Sequence, residues 1–351
     1  MNIKIKKLFN LDSTERLDEA KIINGNPSGI VDFVRPKRKW AKNLYDVMES
    51  NTWFASEANV GQDKHAFNTL PAEQKEVFYK VLAQLIMNDS IQTDQLVENI
   101  KPYITDPIVG QCLTRQAWEE TNHSKAYATI VEGLMNDSEA ERVYYFQNED
   151  KMLMKKDKAI QEMYNSIGTI QESITDKAFM KALAANNILE NNIFYSGFSA
   201  IWSMGKTLIG SAKMISFIER DEATHVTLFK NIYRDTAKEL YGDIKNVPAD
   251  IVKDIRDLID YMTGVEIEWT LYVSKDLFGF TNKTVEQYIK SKSNQICDNL
   301  GIERLFPEVV DGGVLEQNLE KVYTLRGSKT KTNFFENKVA DYSKGSLKVD
   351  F

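Results

Sequence analysis

The sequence predicts an all-α protein, a bundle of long helices with shorter helices added at its ends. Apolar residues recur at steps of three and four over segments of roughly 25 to 30 residues. Strand-like alternation is almost absent, and the 7 prolines fall mostly where one periodic segment stops and the next begins.

The first clear helix follows Thr69, carries Pro71 in its first turn and stops at Pro102. The second opens with Asp106 as its N-cap and Pro107 just inside, and runs to Leu134. Further helices are expected over 138–165, 176–200, 212–240 and 249–276. No fixed-period repeat is visible, which argues against a solenoid. Residues 1–325 are expected to form one helical domain with an N-terminal extension. Residues 326–351 are polar and contain Gly and Lys, and they end on an apolar residue, so they read as a flexible tail carrying a docking peptide.

With 351 residues, 42% hydrophobic and 27% charged, the chain can bury a large core and is not a disordered protein. A net charge of -7 gives no general basic surface for nucleic acid. The 2 cysteines, Cys112 and Cys297, are too few for a disulfide framework. No apolar run approaches the length of a membrane span, and no apolar block follows the basic start. A soluble, cytoplasmic protein without a membrane partner is expected.

Polar residues then occur where the core should be. Of 3 histidines, His123 and His225 each have a glutamate three residues earlier, Glu120 and Glu222. In "SFIERDEATHVTLF" the apolar stripe runs through Ile218 to Phe229, and Glu222 and His225 occupy steps of that stripe. Glu120 and His123 interrupt the seam from Leu113 to Val131 in the same way, and Asp89 and Glu190 each sit in the apolar face of another helix. A lone helical glutamate is normally solvated; in a core position an ionised carboxylate is costly unless it is paired or binds a metal. Four carboxylates and two imidazoles without a thiolate suit a pair of iron or manganese ions better than a structural zinc. One carboxylate from each of four helices, with Glu-x-x-His on two of them, is the inward-pointing pattern of ferritin-like di-metal bundles. Tyr127 follows His123 by one turn on the same face, while Phe194, Phe198 and Ile218 are spaced to line the same interior. By spacing alone Tyr127 reads as a packed core tyrosine. In a dry apolar pocket beside an oxidising centre, it reads as a phenol able to persist as a radical.

"EETNHSKAY" and "ERDEATH", with Asp89 upstream and "NNILENNIFYSGF" between them, resemble the radical-generating small subunit of class I ribonucleotide reductase, over roughly residues 40 to 335. The resemblance implies that Asp89, Glu120 and His123 bind one metal ion and that Glu190, Glu222 and His225 bind the other, iron first and manganese as the alternative. It implies activation by O₂ or a reduced oxygen species, and it makes Tyr127 the radical site. Trp53 and Asp221 would pass the electron toward a large catalytic subunit, with Tyr342 as a relay in the tail that docks there. A homodimer is implied, and a flavoprotein activase is a further partner the resemblance allows. Asp221 also has a role on chemical grounds, because an acid beside a ligand glutamate can hydrogen-bond a ligand histidine from another helix.

Other readings compete. "AIWSMGKT", 200–207, has a relaxed phosphate-loop spelling, but bulky residues fill it and helix precedes it, so a helix end and turn are expected. A stand-alone diiron oxygenase or desaturase and a ferritin-like iron store would use the same ligands. The length, the tail and the phenol favour the reductase subunit.

Overall fold

The long amphipathic segments fold as helices that share one hydrophobic core. The computed structural model describes residues 1–165, 169–275, 277–311 and Leu315. The expected tail at 326–351, with Tyr342, lies outside the described residues. The helices are α1 (Lys39–Ser50), α2 (Lys64–Asn68), α3 (Ala72–Gln95), α4 (Pro107–Leu134), α5 (Asp137–Tyr145), α6 (Lys151–Tyr164), α7 (Asp176–Ile188), α8 (Phe194–Ser203), α9 (Ile209–Tyr241), α10 (Ala249–Ser274) and α11 (Asn282–Leu300). The described sheet is one antiparallel pair, β1 (Asn2–Lys4) with β2 (Ser173–Thr175), which pins the N-terminus beside the start of α7. No helix among the described residues is long and apolar enough to cross a membrane.

Four rods build the centre. α3 packs on α4 and α8, α9 packs on α4, α7 and α8, and α10 and α11 cover the outside. Asp106 caps α4 as expected, accepting from the Ile108 and Val109 amides. Its other oxygen lies 2.6 Å from buried Arg38, which also reaches Asp235 at 2.8 Å and Glu239, so one guanidinium ties the start of α4 to the end of α9. α9 receives its cap from a distant segment: Asp63 accepts from the Gly210 amide at 2.9 Å and the Ser211 amide at 2.7 Å. Only glycine fits at 210, because a Cβ there would stand 2.3 Å from the Asn59 carbonyl oxygen.

Three expected helices differ in detail. The first passes from α3 into a π turn, Leu96–Ile100, before Pro102. The segment 138–165 is divided, because Asp150 accepts from the Met152 and Leu153 amides and starts a new helix. The segment 176–200 is one rod interrupted by a π turn, Leu189–Ile193, in which the Phe194 amide returns to the Leu189 carbonyl. Periodicity did not mark α1 or α11. Both are amphipathic helices with one buried and one solvated face, Ala41, Leu44 and Met48 lying inward on α1 and Val285, Ile289 and Ile296 on α11. The phosphate-loop spelling is the end of α8 and a turn whose Gly205 and Thr207 amides bond the Trp202 and Met204 carbonyls.

Between α6 and α10 lies a fully buried ion pair, Lys156 Nζ to Glu266 Oε2 at 2.8 Å. Removing one partner strands the other charge. Lys156→Met is therefore expected to cost about 3–5 kcal/mol in denaturant unfolding, and Lys156→Met combined with Glu266→Leu should recover most of it.

Candidate metal centre

The six polar residues that interrupt the apolar stripes meet at one place, all fully buried. Asp89 comes from α3, Glu120 and His123 from α4, Glu190 from the π turn, and Glu222 and His225 from α9. They form two groups, Asp89–Glu120–His123–Glu222 and Glu120–Glu190–Glu222–His225, in each of which one ligand atom per residue lies within 4.8 Å of all the others. Glu120 and Glu222 belong to both groups. The helical pitch gave no indication of this sharing, which needs α4 and α9 to face each other across the site.

Both imidazoles are aimed alike. His123 turns Nδ1 inward, 3.0 Å from Asp89 Oδ1 and 3.2 Å from Glu222 Oε1, and Nε2 outward to Asp221 Oδ2 at 3.2 Å. His225 turns Nδ1 to Glu222 Oε2 at 2.7 Å, and Nε2 to Glu119 Oε2 at 3.0 Å. Each outer acid immediately precedes the cluster glutamate of its own helix and reaches the histidine of the opposite one. Asp221 on α9 therefore holds the histidine of α4, and Glu119 on α4 holds the histidine of α9. Outer carboxylates of this kind set the ring orientation and tautomer of a metal-binding histidine. Sequence reading missed Glu119, although the repeated spelling acid-Glu-x-x-His in "EETNH" and "DEATH" carried the signal.

The outer acids end differently. Asp221 Oδ2 also accepts from Trp53 Nε1 at 2.7 Å, and the indole lies nearly parallel to the His123 ring, 6.1 Å between centroids. Glu119 is instead paired with Arg115 Nε at 2.9 Å. Glu190 Oε1 accepts from Gln116 Nε2 at 2.7 Å and from Gln92 Nε2, and Gln92 in turn accepts from the Tyr164 hydroxyl at 3.0 Å. Sequence reading missed both glutamines, because a buried amide on a helix has no periodic signature.

The donor set fits divalent ions. Asp89 Oδ2 is buried without a hydrogen-bond partner, and Glu120 Oε2, Glu190 Oε2 and Glu222 Oε1 accept no hydrogen bond and have only ion-pair contacts of 3.3, 3.6 and 3.2 Å with a histidine Nδ1, which a buried site does not tolerate unless something else satisfies them. Burial, then the charge of Glu222, pushes Glu190 up to about 8, and burial raises Asp89 well above the carboxylate range. Burial alone would lower both histidines. Around His123 it is outweighed by Asp221, Asp89, Glu120 and Glu222, and around His225 by the charges of Glu120 and Glu222 with Glu119 and Glu190, so both are held well above the usual value.

Tyr127 is fully buried one turn past His123, and its hydroxyl has no hydrogen-bond partner. Burial, then the charges of Asp89 and Glu222, drives its pKa well above the usual phenol value. Phe194, Phe198 and Ile218 are buried in the same core.

A profile described as "Ribonucleotide reductase, small chain" matches residues 30–311. The chain is 33% identical to the ribonucleoside-diphosphate reductase subunit beta of Treponema pallidum over 98% of its length and 97% of that protein. It is 26% identical to the corresponding subunit of Halalkalibacterium halodurans over 97% of its length and 96% of the relative. Among solved structures it is similar to the ribonucleotide reductase R2 subunit from Clostridium botulinum, with a TM-score of 0.83, 27% identity, and coverage of 92% of this chain and 99% of that one.

Two outcomes are expected. In chelated protein the folded state carries protons that the unfolded state has lost, on Glu190 between 4.5 and about 8 and on the raised histidines. Stability should therefore fall as pH rises through that window, and Mn²⁺, which displaces those protons, should raise Tm more at the upper end than at the lower. Glu119→Gln should weaken one of two bound ions by about 10–100-fold in a calorimetric titration.

Proposed function

The chain belongs to the ribonucleotide reductase small-chain family, and from that premise we propose that its buried carboxylate–histidine cluster holds two metal ions and generates a radical on Tyr127. As the small subunit of ribonucleoside-diphosphate reductase, it serves a large subunit that reduces ribonucleotides to deoxyribonucleotides. Family membership selects this reading over a stand-alone oxygenase and an iron store. The observation that carries the proposal is the pair of overlapping ligand groups sharing Glu120 and Glu222.

Asp89, Glu120 and His123 would hold one ion, and Glu190, Glu222 and His225 the other, with Glu120 and Glu222 available to both. Two divalent ions offset the charge of the four carboxylates, which makes their burial tolerable. Iron and manganese both suit oxygen-rich donors with imidazole. When bound and exposed to O₂ or a reduced oxygen species, two such ions would supply the oxidising power for the loss of one electron and the hydroxyl proton from Tyr127.

The protein's own part is to protect and connect that phenol. Tyr127 sits where water is excluded, and the buried faces of Phe194, Phe198 and Ile218 offer nothing to reduce its radical. His123, Asp221 and Trp53 form a hydrogen-bonded line leading away from the cluster. An electron returning to Tyr127 would travel along it, with the Trp53 indole as the oxidisable stage and Asp221 keeping the imidazole and indole protons in place. We read 326–351 as the docking tail on the one domain formed by 1–325, with Tyr342 as its relay. A homodimer in the cytoplasm and activation by a flavoprotein complete the reading.

Reconstitution of the chelated full chain with Fe²⁺ or Mn²⁺, followed by O₂, should give two ions per chain and an organic radical signal in electron paramagnetic resonance. Tyr127→Phe should keep the two ions and lose the signal. A signal surviving in Tyr127→Phe would move the radical to another residue, and absence of metal uptake would remove the site.

A further inference from the structure

Glu190 differs from the other carboxylates of the cluster in lying on a π turn instead of a regular helix. A π turn holds one residue more per turn and is less favourable than the α-helix it interrupts, so something must hold it. In this structure Asn192 of the turn donates to the Ser293 hydroxyl and the Ser196 hydroxyl donates to the Ile193 carbonyl, and a further hold comes from an amide on α3. Gln84 is fully buried five residues before Asp89, and its Nε2 donates to the carbonyl of Ile193, the last residue of the turn, at 3.0 Å. Its Oε1 accepts from the indole Nε1 of Trp269 on α10. An indole N–H can only donate and a carbonyl can only accept, so the two partners fix which end of the amide faces which. α3 and α8 also approach so closely here that a Cβ on Gly197 would stand 2.9 Å from Leu85 Cδ2. Trp269 is braced in turn, with Lys156 Nζ 5.3 Å from its ring centroid and paired with Glu266.

We propose that Gln84, braced by Trp269, is a positioning residue that holds the π turn in register and so aims the Glu190 carboxylate at the His225 side of the cluster. The inference rests on the two-ion reading of the site. It adds that one half of the site depends on an amide that touches no ligand. Asp89 and His123 lie on regular stretches of α3 and α4 and do not need this support. Losing Gln84 therefore leaves the His123 half intact, and the defect is unequal. A general packing defect would weaken both halves together.

The test is anaerobic titration of the chelated full chain with Mn²⁺ alone, followed by calorimetry and electron paramagnetic resonance. Gln84→Met keeps the length and removes both hydrogen bonds, and Trp269→Phe removes only the brace. In Gln84→Met one ion should bind as in the unsubstituted chain and the other about 10–100-fold more weakly, leaving a mononuclear manganese signal where the unsubstituted chain gives a spin-coupled pair. Trp269→Phe should show the same split to a smaller degree, with helicity by circular dichroism preserved. Two ions bound with unchanged affinities in both variants, equal weakening of both ions, or loss of helicity in both variants would overturn the proposal. Failure of the unsubstituted chain to take two ions would sink the site reading itself, and this inference with it.

Discussion

Four carboxylates and two imidazoles lie at the centre of a helical core without exposure to water. An isolated buried charge costs several kcal/mol even after relaxation, and here the charges are within touching distance of one another. The surrounding architecture answers that constraint. Asp221, Glu119, Gln92 and Gln116 each meet a member of the cluster from outside, and each has a further partner in Trp53, Arg115, Tyr164 or a second carboxylate. The four site-bearing rods must therefore be buried on several faces at once. This is why α6, α10 and α11 form an additional layer instead of leaving a bare bundle.

The two halves are built on one plan and terminated differently. Each imidazole turns Nδ1 to the cluster and Nε2 to an acid from the opposite helix, which cross-links α4 and α9 twice. On the His123 side the acid meets an indole, a group that can give up an electron. On the His225 side it meets a guanidinium, which cannot, and which is itself held by the Met48 carbonyl and the Thr52 hydroxyl. The end of α1 and the loop after it thus anchor Arg115, and the same loop carries Trp53. This difference gives the proposed electron route a direction: it leaves through His123, where the chain of partners contains an oxidisable ring.

Apolar periodicity and proline placement were enough for the helical class and for the long central rods. They failed where a local cap outweighed the stripe, at Asp150, and they left out α1 and α11. The six clustered residues were legible because a polar group in a core position breaks a pattern that is otherwise strict. Their neighbours were harder to read. Gln84, Gln92 and Gln116 are ordinary helix-forming residues, and nothing in their spacing says that each is buried against a particular oxygen.

By itself the sequence determined which side chains point inward, since helical pitch sets the face on which Asp89, Glu120, His123, Tyr127, Glu222 and His225 project. It also held the order of acid, glutamate and histidine on two helices. Only the tertiary structure decided that Glu120 and Glu222 are shared, that each outer acid serves the opposite helix, that Trp53 is bonded to Asp221, and that Glu190 rides on a π turn held by a distant amide. These depend on the angle and depth at which α3, α4, α8 and α9 cross, and such crossings are set by long-range packing that no periodicity along one helix encodes.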